Sequence, residues 1–247
     1  MWSVPLIMLD LLSLLSFGPD GWGDEIARGA LLTIELALAT LPVGITIGLL
    51  IALAKDSHSP VLRGLGNLYT TVFRGLPELL TLFIVYYGGQ MLLTRIANYL
   101  VPDANIEVNQ FVAGVVALGL VLGAFSSEVL LAAIRAVPRG QKEAASALGL
   151  SGWSTFRLVT FPQLWRVALP GLSNNWMVLL KDTSLVSVIA ISDLMRQTAI
   201  AVGVTKQPFF FYLVACLIYL VFSGVSSVIF TKLENRAARG FKRVGGH

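Results

Sequence analysis

Residues 137–162 decide how the rest of this sequence is interpreted. They read VPRGQKEAASALGLSGWSTFRLVTFP. The segment 142–148 consists of strong helix formers, and Gly149 follows where the end of a helix favours a positive φ. Ser151 can then cap the start of a second short helix. The pattern therefore predicts two short helices joined by a tight turn.

The second of these short helices carries two aromatic residues. Trp153 and Phe156 are three residues apart, so they share one helix face, and we expect Pro162 to end the helix. Exposed aromatic side chains of this kind suit insertion into the groove of a partner protein. The alternative is an amphipathic loop that lies on a membrane surface.

The composition places the rest of the chain in a lipid bilayer. Of the 247 residues, 55% are hydrophobic and 13% are charged, whereas soluble domains carry about 25% charged residues. Five apolar runs are each about long enough to cross a hydrocarbon core of ~30 Å as a helix. They are 31–54, 72–93, 111–134, 169–191 and 209–230. Because period-two alternation is absent, we expect an all-α membrane protein with five transmembrane helices rather than a β-barrel.

The Lys and Arg residues predict how these helices are oriented, because basic residues collect on the cytoplasmic side. They concentrate between the first and second runs, between the third and fourth runs, and in the C-terminal tail. The residues concerned are Lys55, Arg63, Arg135, Arg139, Lys142, Arg157, Arg166, Lys232, Arg236, Arg239, Lys242 and Arg243. This distribution predicts an N-terminus outside and a C-terminus inside.

We expect the chain to divide into three segments. Residues 1–27 are expected to be an extracytoplasmic or interfacial segment, residues 28–234 the transmembrane domain, and residues 235–247 a basic cytoplasmic tail. Residues 1–17 are apolar but have no Lys or Arg at their start, and Asp10 interrupts them. They therefore lack the features of a cleavable signal. We expect a short interfacial or extracytoplasmic helix there, with an additional uncleaved span as the alternative.

Small residues mark places where helices approach each other closely. Gly44 and Gly48 form a G-x-x-x-G pattern in the first run, and Gly114, Gly119 and Gly123 line the third run. The sequence leaves open whether these glycines form an interface between subunits or pack helices within one subunit.

Several chemistries are missing from the sequence. No Gly-Lys dipeptide occurs, so the chain has no phosphate-binding G-K-[ST] loop and cannot bind ATP in the usual way. The two histidines, His58 and His247, lie outside the apolar runs, which excludes an intramembrane H-E-x-x-H zinc site. The single Cys216 cannot form an internal disulfide. We therefore predict no catalytic residue, no metal site and no cofactor in this chain, and its net charge of +4 gives no reason to expect a nucleic-acid partner.

The stretch quoted first resembles the EAA loop of ABC importer permeases. That loop has E-A-A, three residues, G, nine residues, a β-branched aliphatic residue, one residue, an apolar residue and P. The matching residues here are Glu143, Ala144, Ala145, Gly149, Val159, Phe161 and Pro162. In the family this loop inserts into a groove of the ATPase subunit. The resemblance implies that residues 143–156, with Trp153 and Phe156, dock onto an ATPase.

Three further stretches resemble the polar amino-acid branch of that family. They are FRGLPELL at 73–80 with YYG at 86–88, AFSSE at 124–128, and KDTSL at 181–185. The resemblance covers about residues 28–234 and implies the type I importer permease fold in the bacterial inner (cytoplasmic) membrane. It also implies four kinds of partner. They are a second permease subunit, homologous or identical; two ATP-binding cassette subunits, which would bind the ATP; an extracytoplasmic solute-binding protein; and the lipid bilayer.

Charged residues inside apolar runs are costly and are candidates for function. The resemblance implies that the KDTSL element lies near the membrane centre and close to the substrate pathway. The set predicted for that pathway is Arg74, Pro77, Glu78, Glu128, Lys181, Asp182, Thr183 and Ser184. Pro77 favours a break in the helix, and broken helices are tolerated where they line a cavity. The alternative for Lys181 and Asp182 is a structural salt bridge to Glu35 or Glu128.

The acid at position 78 bears on the substrate. In having an acid at this position, the chain resembles the subset of the family that carries cationic amino acids or opines, which are amino-acid conjugates. We therefore expect a permease for a polar, basic amino acid or an opine-like derivative. The rival functions are a secondary transporter that uses Glu35, Glu78 and Glu128 as proton relays, an ABC permease for another small solute, and a membrane enzyme.

Overall fold

The computed structural model describes residues 13–19, 21–100 and 107–238, and every regular element among them is helical. The chain divides into two compact units. The first unit comprises Met1–Thr40, Glu78–Leu118 and Leu179–Ser223. The second unit comprises Leu41–Pro77, Gly119–Val178 and Gly224–His247. The predictions for residues 1–12 and for most of the C-terminal tail lie outside the described residues.

The helices follow one another with short connections. In chain order they are α1 (Gly23–Asp56), α2 (Pro60–Gly75), α3 (Glu78–Phe83), α4 (Gly89–Leu100), α5 (Gln110–Ala136), α6 (Arg139–Ala147), α7 (Gly152–Thr155), α8 (Phe161–Asp182), α9 (Leu194–Thr205) and α10 (Pro208–Ala237). The π-helical turns Ile84–Gly88 and Phe156–Thr160 join α3 to α4 and α7 to α8, and the 3-10 segment Thr183–Ile189 follows α8.

Length and composition identify the helices that can cross a membrane. Four segments qualify among the described residues, and they are Gly23–Asp56, Glu78–Tyr99, Gln110–Ala136 and Pro208–Ala237. A fifth span arises if two further segments count as one broken span. They are Gly152–Ile189 and Leu194–Thr205, which meet at a bend of 53°. The prediction of an all-α protein with five spans is confirmed in this sense.

The second span does not begin where the hydropathy pattern placed it. Helix α2 ends at Gly75, the backbone at Leu76 is extended with φ −89° and ψ 143°, and α3 begins at Glu78. The break arises because a residue that precedes proline avoids the α conformation. The predicted break at Pro77 is therefore confirmed, whereas the predicted start of the span at residue 72 is wrong.

Close packing between α1 and α5 forms part of the second unit. A Cβ atom on Gly44 would lie 2.4 Å from Cδ2 of Leu122, and one on Gly123 would lie 2.7 Å from Cγ2 of Ile47. Only glycine allows the two backbones to approach this closely. The alternative left open by the sequence is decided for these two glycines, which pack helices within one chain.

Buried polar groups hold the break after α8 in the first unit. Asp193 is fully buried, and its carboxylate accepts hydrogen bonds from the backbone N–H groups of Met195 and Arg196 at the start of α9. The Thr33 hydroxyl of α1 accepts the N–H of Leu194 at 3.2 Å. These bonds satisfy donors that a helix start leaves unpaired, so a helix can begin inside an apolar environment.

Candidate functional site

The segment from Arg139 to Thr155 folds as the sequence predicts. Helix α6 is followed by Gly149 with φ +78°, the left-handed conformation that favours glycine. Ser151 caps α7, because its hydroxyl accepts the N–H of Ser154 at 3.2 Å. We call residues 139–161 the coupling segment, after the role proposed for it below.

The EAA residues themselves differ in exposure. Glu143 and Ala144 are exposed on α6, whereas Ala145 is 4% exposed. The buried alanine therefore lies on the side of α6 that packs within the chain, and the exposed Glu143 lies on its surface.

Aromatic rings form a continuous row on the coupling segment and the start of α8. The ring of Trp153 stacks on that of Phe156 with centroids 5.8 Å apart, as the shared helix face predicts. Phe156 then contacts Phe161 at 5.9 Å, and Phe161 contacts Trp165 at 6.1 Å. Trp153 is 70% exposed and Phe156 is 42% exposed. We call these four residues the aromatic row, and it gives the second unit an exposed apolar ridge.

The second half of this row, Phe161 and Trp165, is not predicted from the sequence. The step from Phe156 to Phe161 is five residues, which does not fit the α-helical period of 3.6. The π-helical turn Phe156–Thr160 accommodates the extra residue and keeps both rings on one side. The prediction that Pro162 ends the helix is wrong as well. Pro162 lies in the first turn of α8, where a missing N–H costs no helical hydrogen bond.

A cluster of charged residues joins α1, α2 and α5 in the second unit. The ammonium group of Lys55 donates to Oε1 of Glu128 at 2.5 Å and to the hydroxyl of Thr70 at 3.2 Å. Nη1 of Arg74 lies 3.5 Å from the same oxygen of Glu128. Cζ of Arg74 lies over the ring of Phe125, 5.5 Å from its centroid. Glu128 is thus paired with residues that the sequence analysis did not connect to it.

The first unit brings together two carboxyl groups of the predicted pathway set. Glu78 begins α3, Asp182 ends α8, and α3 packs against the 3-10 segment Thr183–Ile189 that follows Asp182. Thr183 is fully buried and donates its hydroxyl proton to the carbonyl of Leu180, while Ser184 accepts the hydroxyl of Ser187 on its carbonyl. Their approach could not be predicted from the sequence, because Glu78 and Asp182 are 104 positions apart in the chain.

The alternative role of Lys181, a structural salt bridge to Glu35 or Glu128, receives no support in the described part of the chain. Lys181 and Glu35 are both exposed, and neither belongs to the ion pairs found there. The break at Pro77 also separates Arg74 from Glu78, so these two residues do not share a helix face. Among the described residues, no group of three or more His, Cys, Asp or Glu side chains is arranged to hold a metal ion.

Comparison with known proteins gives a consistent result. Residues 44–239 match the model of a family described as the binding-protein-dependent transport system inner membrane component. The chain is 48% identical to the nopaline transport system permease protein NocQ of Agrobacterium fabrum, over 94% of this chain and 98% of that protein. It is 41% identical to the histidine/lysine/arginine/ornithine transport system permease protein HisQ of Salmonella typhimurium, over 90% of this chain and 97% of that protein.

A solved structure agrees with these relatives. A crystal structure of an amino acid ABC transporter with histidines contains a chain that superposes on this one with a TM-score of 0.74 and 31% identity, covering 96% of this chain and 100% of that chain. The relatives are transport components that depend on a binding protein, which decides against the secondary-transporter and membrane-enzyme alternatives. The chain belongs to the family of inner membrane components of binding-protein-dependent transport systems and is a permease subunit of an ABC importer.

Proposed function

We propose that this permease subunit imports basic amino acids or opine-like derivatives. The observation that carries the proposal is the approach of Glu78 to Asp182, because α3 begins at Glu78 and packs against the 3-10 segment that follows Asp182. Both residues belong to segments that are long and apolar enough to span a membrane. Two carboxyl groups at membrane depth are costly, and a guanidinium, ammonium or imidazolium group of a substrate would offset that cost. One relative is named as a nopaline permease and another as a histidine/lysine/arginine/ornithine permease, and these names support the same class of substrate.

The experiment that tests this proposal measures substrate selectivity. The assembled importer is reconstituted in vesicles with its binding protein, and uptake of arginine, lysine, histidine and neutral glutamine is compared. Glu78→Gln and Asp182→Asn remove charge with little change in size. A charge-assisted hydrogen bond is worth about 1.5–3 kcal/mol, so we expect the preference for cationic substrates over glutamine to fall roughly 10- to 100-fold.

The matched control is Glu35→Gln. It removes an exposed acid of α1 that belongs to none of the ion pairs in the described residues, so selectivity should not change. The proposal fails if both variants at the acidic pair leave the preference for cationic substrates as it was. It also fails if the unmodified importer carries none of the three basic amino acids and no opine.

The coupling segment is proposed to dock onto an ATPase subunit. The exposure of Trp153 and Phe156 supports this role, because a row of aromatic side chains suits a hydrophobic groove. The ATP would be bound by the partner subunits, and their closure would draw the coupling segments together. A substrate whose affinity differs between the outward- and inward-facing states would then be released on one side.

Crosslinking tests this docking. A cysteine at exposed Ala147 of α6 is paired with cysteines along the ATPase groove in the assembled importer, and we expect disulfides at a few adjacent groove positions. A cysteine at exposed Lys232 of α10 is the control. An active importer in which no groove position links to residue 147 would contradict the proposal.

The assembly and the orientation complete the proposal. We expect a second permease subunit, homologous or identical, two ATP-binding cassette subunits and an extracytoplasmic solute-binding protein. The Lys and Arg residues support a cytoplasmic C-terminus and an extracytoplasmic N-terminus. Pro77, Lys181, Thr183 and Ser184 remain proposed members of the substrate pathway, with Arg74 and Glu128. The orientation is tested with a reporter that is active only outside the cytoplasm, fused after residue 247. Activity of this reporter would overturn the proposed orientation.

A further inference from the structure

The second unit contains a cavity of about 420 Å³ with a polar lining. Its walls come from α1, α2 and α5, and its polar side chains are Lys55, Asn67, Thr70, Thr71, Arg74 and Glu128. Two cations and one carboxylate give this lining a net charge of +1. A cavity that combines both signs of charge with hydrogen-bonding groups is suited to a ligand that also carries both signs.

Lys55 is occupied by the protein itself. Its side chain is 9% exposed, and its ammonium group bonds to Glu128 and to Thr70. Lys55 therefore fixes the position of the Glu128 carboxylate in the wall of the cavity.

Arg74 belongs to the same cluster, but its side chain is more exposed and less closely paired than that of Lys55. Its side chain is 46% exposed, and its ion pair with Glu128 is a single contact of 3.5 Å, longer than the 2.7–2.9 Å of a strong charge-assisted hydrogen bond. A guanidinium group carries five N–H donors in a planar fork. The face of Phe125 supports this fork, so its donors are oriented, and the ion pair with Glu128 uses them only weakly.

Glu128 also retains unused capacity. The ion pairs with Lys55 and Arg74 both involve Oε1, so neither of them occupies Oε2. Each carboxylate oxygen can accept about two hydrogen bonds. The cavity therefore combines an oriented guanidinium group with a carboxylate oxygen that those two ion pairs leave open.

We propose that this cavity binds the zwitterionic head group of the transported amino acid, with Arg74 on the α-carboxylate and Glu128 on the α-ammonium group. A carboxylate matches the guanidinium fork with two parallel hydrogen bonds. Asn67 and Thr71 supply further hydrogen-bonding groups to the lining of the cavity. The inference rests on the proposed function, because it takes the substrate to be an amino acid or an amino-acid conjugate.

The test compares amino acids with amines that lack only the carboxylate. Binding to the assembled importer in nanodiscs is measured for arginine and agmatine, histidine and histamine, ornithine and putrescine, and the neutral pair serine and ethanolamine. We expect the unmodified importer to prefer each amino acid that it binds over the corresponding amine. Arg74→Gln should reduce that preference about 10- to 100-fold and leave the binding of the amine nearly unchanged.

The control and a second variant make the result specific. Arg63→Gln makes the same change at an exposed position of α2 that does not line the cavity, and the preference should remain. Arg74→Lys keeps the positive charge beside Glu128 but loses the planar fork. It should show a reduced preference, and it allows the test to proceed if Arg74→Gln does not assemble.

Two results would overturn the inference. One is an unmodified importer that prefers no amino acid over its amine. The other is an Arg74 variant that weakens amino acid and amine equally, which is the result expected of a purely structural residue. If only serine is preferred over its amine, and Arg74→Gln abolishes that preference, the head-group site stands while the selectivity for basic amino acids fails.

Discussion

Substitution of Gly44 tests the close contact between α1 and α5. In Gly44→Ala, the new Cβ would lie 2.4 Å, 2.6 Å and 2.8 Å from Cδ2, Cγ and Cβ of Leu122. Carbon atoms prefer a separation of about 3.5–4.0 Å, so the helices or the leucine must shift. Leu122 is 5% exposed and has little space to move into. Overpacking of this kind costs about 1–3 kcal/mol.

The assay is the free energy of unfolding in mixed micelles titrated with a denaturing detergent. The matched control is Gly64→Ala in α2, where a Cβ meets no atom within 4 Å. Alanine is favoured over glycine inside a helix by roughly 0.5–1 kcal/mol, so this control should be neutral or slightly stabilised. Both variants share this gain in helix propensity, so we expect a difference of about 1–3 kcal/mol between them, set by the overpacking at Gly44.

A double-mutant cycle decides whether Leu122 is the cause. Leu122→Ala alone should destabilise the chain by about 2–5 kcal/mol. Combined with Gly44→Ala, it should cost less than the sum of the two single variants, because the new methyl group enters the space that the leucine leaves. Equal unfolding free energies for Gly44→Ala and Gly64→Ala, or strict additivity in the cycle, would refute the reasoning.

Two further variants test local features of the second unit. Lys55→Met removes the 2.5 Å partner of Glu128 and should cost about 1.5–3 kcal/mol of unfolding free energy, whereas Lys232→Met, at an exposed lysine of α10, should cost little. No difference between these two would contradict the role of the cluster. Gly149→Ala places a side chain at φ +78° and should destabilise the coupling segment by about 1–2 kcal/mol, seen as lower ATP-driven uptake. Gly152→Ala, which meets no atom within 4 Å, should retain uptake, and equal losses in both variants would disprove the strain argument.

The sequence predicted the features that depend on neighbours along the chain. The turn at Gly149, the cap at Ser151 and the break at Pro77 each follow from the conformational limits of one or two residues. The family resemblance was equally accessible, because its motifs are short and occur in order. The error at Pro162 was also local, since the π-helical turn before it has no sequence pattern as clear as that of an α-helix.

The sequence alone determined that this chain is an all-helical membrane permease subunit with an exposed coupling segment. Apolar length, the period of helices and turn chemistry act between residues close in the chain. Only the tertiary structure decided that Glu128 pairs with Lys55 and Arg74, that Glu78 approaches Asp182, and that Gly44 packs against Leu122. These contacts join residues tens to more than a hundred positions apart. A charge within an apolar run shows that a partner is needed, but the packing of the helices determines which partner it meets.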